Sequence, residues 1–319
     1  MSLAGSTLST ALLLDRVYER HVPGGEHPEC PERYEAVTSA LAAAGLTERM
    51  QRVAVREAID DELLLCHTPG YLKTVEQDIA RGARDLSTGD TAVSPLSRDV
   101  ALRAVGGVLN ALDSVISGEV KRAFCAVRPP GHHATPDRGM GFCIYNNVAI
   151  AARYAQKKRG LERVLIVDWD VHHGNGTQDT FYADGSVLFF STHQHPWYPG
   201  TGLAVESGEG KGKGRTINCP LPAGSGAAEI IGAFRSKLLT AANDFKPDLV
   251  LVSAGFDSRA GDPLGRFLLT DDDFRELTKL MREVAEHHAG GRLVSVLEGG
   301  YSLEGLAAGV TAHVEELVA

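Results

Sequence analysis

Six short apolar runs do most to constrain how this chain can fold. They are Ala11–Leu14, Ala123–Val127, Val164–Val167, Val187–Phe190, Leu249–Val252 and Leu293–Leu297. None alternates apolar with polar, so each reads as a strand covered on both faces, the pattern of a parallel sheet. Helical apolar spacing fills the gaps, at Arg33–Ala44, Ser97–Ser117, Asn147–Lys158, Ala227–Asn243 and Asp271–His288. The last of these opens behind Thr270, a residue suited to cap a helix, with three aspartates in its first turn. Strand–helix alternation along the whole chain predicts an α/β fold. The 319 residues contain no repeat, low-complexity stretch or linker, so they read as one domain over 1–319.

Composition narrows the classes. A net charge of -9 argues against a nucleic-acid binder, which carries a basic face. The five cysteines form no CxxC pair and are irregularly spaced, which disfavours a disulfide framework or a thiolate zinc site and fits a reducing compartment. Met1–Thr10 has no basic segment of the kind that opens a secretion signal, and no apolar run approaches membrane-spanning length. The expectation is a cytoplasmic protein with no membrane partner. Two Gly-rich stretches, Pro199–Gly202 and Gly208–Gly214, lack the strand and helix that frame a nucleotide-binding loop. The second reads as a flexible surface loop.

Position carries more information than composition. Four apolar runs end in polar clusters: RPPGHHA (Arg128–Ala134), DWDVHHG (Asp168–Gly174), SAGFDSRAGD (Ser253–Asp262) and EGGY (Glu298–Tyr301). Ligands bind outside the carboxyl ends of strands in open α/β sheets, so the four clusters are expected to meet in one crevice. Asp168, Asp170 and His172 share one side of an extended segment. Two close carboxylates there call for a counter-cation, although a strand-end aspartate can also cap the next helix. Asp257 is either a further ligand or a turn residue. An Asp2His set with an open position suits Lewis-acid hydrolysis by zinc. His132 and His133 read as proton-transfer groups beside such a site. Tyr301, behind two glycines, is either an oxyanion donor or a packing residue.

Together these segments resemble the histone deacetylase family, in its class II branch with the bacterial histone deacetylase-like amidohydrolases. The resemblance also runs through HPECPERYEAV (His27–Val37), GFCIYNNVAIAA (Gly141–Ala152), HQHPWYPGTG (His193–Gly202), SAGFDSRAGDPLG (Ser253–Gly265) and LEGGYSLEGLA (Leu297–Ala307). It implies a single-domain arginase/deacetylase-like fold, with helices flanking a central parallel sheet of about eight strands. It implies a zinc-dependent deacylase with Asp170, His172 and Asp257 as zinc ligands, a set that also accepts ferrous iron. His132 and His133 correspond to the paired histidines, with His133 as general base and acid. Asp168 would orient His132 and share a potassium ion with Ser191, Thr192 and the backbone of Asp170 and His172. Asn175 matches the partner of His133; class I relatives carry Asp there. Tyr301 matches the transition-state tyrosine. Gly141, Phe142, Tyr198 and Leu264 fall in the substrate tunnel, and Asp90 lies near a rim aspartate.

The implied substrate is an acylated lysine in a peptide or protein, or a small acylated amine. An acetylpolyamine amidohydrolase is the alternative, but polyamine-specific relatives carry a gatekeeper Glu where this chain has Leu264. A catalytically weak binding module and a two-manganese hydrolase fit less well, because the residues of a single metal site and Tyr301 are all in place. The sequence leaves a homo-oligomer open.

Overall fold

The computed structural model describes residues 8–319, so most of the segment bearing on a secretion signal, along with the start of the 1–319 domain, lies outside the described residues. The strands, in chain order, are β1 (Thr10–Leu13), β2 (Gln51–Arg52), β3 (Arg122–Cys125), β4 (Val164–Asp168), β5 (Val187–Gln194), β6 (Thr216–Leu221), β7 (Leu249–Ala254) and β8 (Leu293–Leu297). They form one parallel sheet in the order β2-β1-β3-β8-β7-β4-β5-β6. The last strand in the chain therefore lies in the middle, between β3 and β7.

All six apolar runs are strands. β3, β4, β7 and β8 are buried at every position. The helix Leu303–Val318 packs on both Pro31–Ala43 and Asp271–His288, and Ser97–Ile116 packs on Asn147–Arg159; both groups also contact the sheet. Covering both faces is what demands continuous apolar sequence in the strands. β2 and β6 escape that rule because they are the two edges. β2 has two residues, and β6 is half-buried and contains Pro220, which an edge tolerates.

The helix Asp271–His288 has the bounds that the sequence suggests, and the Thr270 hydroxyl accepts the Asp273 N–H. The segment expected as one helix at Ala227–Asn243 is a helix interrupted by a π turn at Phe234–Leu238, running on to Phe245. The Gly208–Gly214 stretch is no loose loop. It contains a 3-10 turn at Gly210–Gly212, and the Glu209 N–H donates to the Tyr182 carbonyl at 2.8 Å. A side chain at Gly212 would meet that carbonyl 2.4 Å away.

One buried histidine is structural. His313 Nδ1 is 2.6 Å from Thr278 Oγ1 and its Nε2 is 2.8 Å from Ser295 Oγ, joining two helices to β8. Burial pushes its imidazole down to about 3, so it packs as a neutral ring.

Candidate active site

The four polar clusters follow β3, β4, β7 and β8, which are the four central strands of the sheet, and they converge at its carboxyl end. Strand β4 stops at Asp168 and the chain turns, so strict alternation does not continue through Asp170 and His172. The turn separates the three polar residues that the sequence grouped together. Ligand atoms of Asp170, His172 and Asp257, all buried, lie within 4.8 Å of one another. Asp168 faces His132 instead, with Oδ2 at 2.9 Å from its Nδ1.

Backbone groups occupy one oxygen each of the Asp170 and Asp257 carboxylates. Val171 N–H donates to Asp257 Oδ1 at 2.9 Å, and Gly299 N–H donates to Asp170 Oδ2 at 2.9 Å. The remaining oxygens turn toward His172 Nδ1, with Asp170 Oδ1 at 3.0 Å and Asp257 Oδ2 at 3.2 Å. Tetrahedral zinc, with bonds of about 2.0–2.1 Å, separates its ligand atoms by about 3.3 Å, so the spacing suits that ion. Asp257 Oδ2 is buried without a hydrogen bond, as expected of an atom awaiting a cation. Burial alone would lower His172, but the adjacent Asp170 and Asp257 carboxylates raise it to about 10. Burial and the nearby Asp170 charge raise Asp257 to about 7. Both shifts report a pocket short of positive charge. Gly299 makes the crowding possible, because a Cβ there would stand 2.1 Å from Asp257 Oδ2 and 2.6 Å from Asp170 Oδ2.

His132 and His133 lie beside this group with ring centroids 4.0 Å apart, yet they are in opposite electrostatic settings. Burial disfavours the charged form of His132, but Asp170 and Asp168 outweigh it and hold the imidazole well above its usual range. Burial, with the neighbouring positive rings, holds His133 well below that range. His133 Nδ1 is 2.8 Å from Asn175 Oδ1. An amide oxygen only accepts, so Nδ1 carries the proton and Nε2 is left bare.

Asp90, His133, Gly141, Phe142, His172, Trp197, Tyr198, Leu264 and Tyr301 line a cavity of ≈ 240 Å³. Its surface is mostly apolar, and it ends on His133, His172 and Tyr301. Phe142 takes φ 68°, a strained backbone for a residue with a side chain, and places its ring 5.8 Å from that of Tyr301. Asp90 accepts the Gly141 N–H at 2.8 Å and the Tyr198 phenol at 3.3 Å, so it braces two tunnel residues from the rim. Ser191 pairs with Asp168 in the β4–β5 register. Thr192 is the next residue on β5, and its buried hydroxyl has no hydrogen-bond partner.

Sequence reasoning missed several supporting residues. Glu298, fully buried, accepts the N–H groups of Gly131 at 2.6 Å and His132 at 3.2 Å and the Ser253 hydroxyl at 3.1 Å. Burial raises its carboxyl to about 7. Arg33 donates Nε–H to the Gly300 carbonyl at 2.7 Å and holds its guanidinium 5.0 Å from the Tyr301 ring centroid. Glu29 pairs with both Arg33 and Arg128 in the interior. Charged residues are ordinarily placed at the surface, so these were passed over. The i,i+4 spacing of Glu29 and Arg33 was the available signal. Trp197 also lines the cavity and donates its indole N–H to the Leu264 carbonyl at 2.8 Å.

The sequence profile of the histone deacetylase domain matches residues 27–317. The chain is 42% identical over 277 residues to the histone deacetylase-like amidohydrolase of Pseudomonas aeruginosa, covering 86% of this chain and 73% of the relative. It is 42% identical over 308 residues to the polyamine deacetylase HDAC10 of Homo sapiens, covering 92% of this chain and 45% of that one. Among solved structures, the HD domain of HDA15 superposes with a TM-score of 0.93 at 38% identity, over 98% of this chain and 89% of the other. No helix among the described residues is long and apolar enough to cross a membrane.

Proposed function

Because the chain belongs to the histone deacetylase family and is a hydrolase, we propose that it is a zinc-dependent deacylase acting on acetyl-lysine or a similar acylated amine. One observation carries this reading: one mostly apolar cavity is lined by His133, Tyr301 and His172, the last of which belongs to the buried Asp170–His172–Asp257 group. The walls at Phe142 and Tyr198 suit the neutral alkyl chain of an acylated lysine.

Asp170, His172 and Asp257 would hold the zinc, with ferrous iron as the other ion the set accepts. When bound, the ion supplies Lewis-acid polarisation of the amide carbonyl and of the attacking water. The bare Nε2 of His133 accepts the water's proton as the oxygen attacks the carbonyl carbon. Its low proton affinity keeps the ring neutral, and so free to accept a proton, at neutral pH. His132, charged between Asp168 and Asp170, adds positive potential behind the reacting centre. The Tyr301 phenol donates to the developing oxyanion; burial raises its proton affinity, so it stays protonated as a donor. His133 then returns the proton to the leaving nitrogen, and amine and carboxylate depart.

Potassium on Asp168, Ser191, Thr192 and the backbone of Asp170 and His172 belongs to the same reading, supported by the Asp168–Ser191 register. So does a cytoplasmic setting, supported by five cysteines that are all unpaired.

The second reading is an acetylpolyamine amidohydrolase, favoured by identity to a relative named a polyamine deacetylase. Against it, Leu264 lines the tunnel where a carboxylate would attract a cationic chain. Rates on acetyl-lysine peptides and on acetylspermidine, with and without a chelator, test both. A large preference for acetylspermidine overturns the first reading, and chelator-insensitive turnover overturns the metal.

A further inference from the structure

The Tyr301 loop is poorly fixed by its own sequence. Gly299 and Gly300 precede the tyrosine, and Gly300 takes φ 124°, which only glycine adopts readily. Something outside the loop must aim the phenol. Arg33 grips the Gly300 carbonyl from one side. From the other side a single carboxylate, Asp262, does more. Its Oδ2 accepts the N–H groups of Tyr301 at 2.7 Å and Ser302 at 3.0 Å. Its Oδ1 accepts the Leu264 N–H at 2.9 Å. Leu264 is a rim residue of the tunnel, and its carbonyl accepts the Trp197 indole N–H at 2.8 Å. Asp262 is 8% exposed, and its two oxygens are engaged by backbone donors of two loops that are far apart in the sequence. Charge-assisted bonds of this kind are short and directional.

We propose that Asp262 is a positioning residue: it sets the Tyr301 phenol and the Leu264–Trp197 rim in one fixed relation, so that the oxyanion donor is aimed by the same carboxylate that shapes the tunnel mouth. The proposal rests on the reading of Tyr301 as the oxyanion donor. A displacement of about 1 Å in such a group costs up to about 100-fold in rate.

The test is a double-mutant cycle on the zinc-loaded full chain with an acetyl-lysine peptide, with amide hydrogen exchange measured on the same variants. Asp262→Ala is expected to lower kcat about 10- to 100-fold with little change in KM. Asp262→Asn keeps the shape but replaces one acceptor with a donor, and should fall between Asp262→Ala and the wild type. In a Tyr301→Phe background, Asp262→Ala should cost less than about 3-fold, because the group it aims is gone. Exchange in Asp262→Asn should speed up together at residues 262–266 and 299–303. Equal losses in both backgrounds, or unchanged exchange at 299–303, overturn the proposal. A Tyr301→Phe chain as active as the wild type overturns instead the functional reading on which it rests.

Discussion

His133 Nδ1 lies 2.8 Å from the amide oxygen of Asn175, a neutral partner that does not offset the burial and the neighbouring His132 and His172 rings that hold the imidazole well below its usual range. Asn175→Asp would put a carboxylate on the same N–H and favour the charged ring. In the proposed mechanism His133 must be neutral to accept a proton, so activity is lost as pH falls through its pKa. The acid limb of kcat/KM is therefore expected below the usual histidine range of about 6.5 in the wild type and at clearly higher pH in Asn175→Asp. An unmoved acid limb in the variant counts against His133 as the base.

Metal content gives a second test. The wild type is expected to bind about one zinc per chain. Asp257→Asn should lose most of that metal and most of its activity, since it removes the buried oxygen that has no other partner. Chelation of the wild type should abolish turnover and lower the Tm, and added zinc should restore both. In the metal-free protein, Asp170 and Asp257 raise His172 to about 10, so zinc loading at pH 8 should release a proton into the buffer. Elemental analysis and a weakly buffered titration measure these outcomes.

Glu298 predicts a stability effect with a definite sign. Its carboxyl is raised to about 7, so between pH about 4.5 and about 7 the folded chain holds a proton that the unfolded chain has released. Stability therefore declines as pH rises through that window. Glu298→Gln, measured by denaturant unfolding of the zinc-loaded protein, should flatten the decline. Glu298→Ala leaves the Gly131 and His132 N–H groups buried without an acceptor and should cost about 2–4 kcal/mol.

Leu264→Glu tests how the rim selects its substrate. A carboxylate at the tunnel mouth would attract the free ammonium groups of an acetylated polyamine. The kcat/KM ratio of acetylspermidine to an acetyl-lysine peptide is expected to rise about 10-fold or more. An unchanged ratio would place substrate choice elsewhere.

The sequence made legible what repeats along a line. Six strands are legible because both their faces are buried, whereas β2 and β6, the two edge strands and less fully buried, carry no comparable apolar signal. Asp170, His172, His132 and His133 stood out because polar residues crowd the ends of apolar runs. Asp257 is ambiguous from spacing alone and is marked as a ligand by the family resemblance; the pairing of β4 with β7 brings the two strand ends side by side. The hidden layer is the one whose partners are distant in sequence. Glu298 meets the turn at Gly131, and Asp262 meets the backbone at Tyr301, through contacts that no local pattern encodes. Alternation alone groups Asp168 with Asp170 and His172, while the family resemblance pairs it with His132, from whose Nδ1 its Oδ2 lies 2.9 Å.

The place of β8 has a bearing on how the molecule is made. Without β8, the strands β2-β1-β3 and β7-β4-β5-β6 share no hydrogen-bonded neighbour. β8 leaves the ribosome after the seven other described strands, so the edges of β3 and β7 cannot be joined at the centre of the sheet before it emerges. Tyr301 and Glu298 arrive with the same segment. The strand that joins the two halves of the sheet thus also brings in the residues proposed to complete the site.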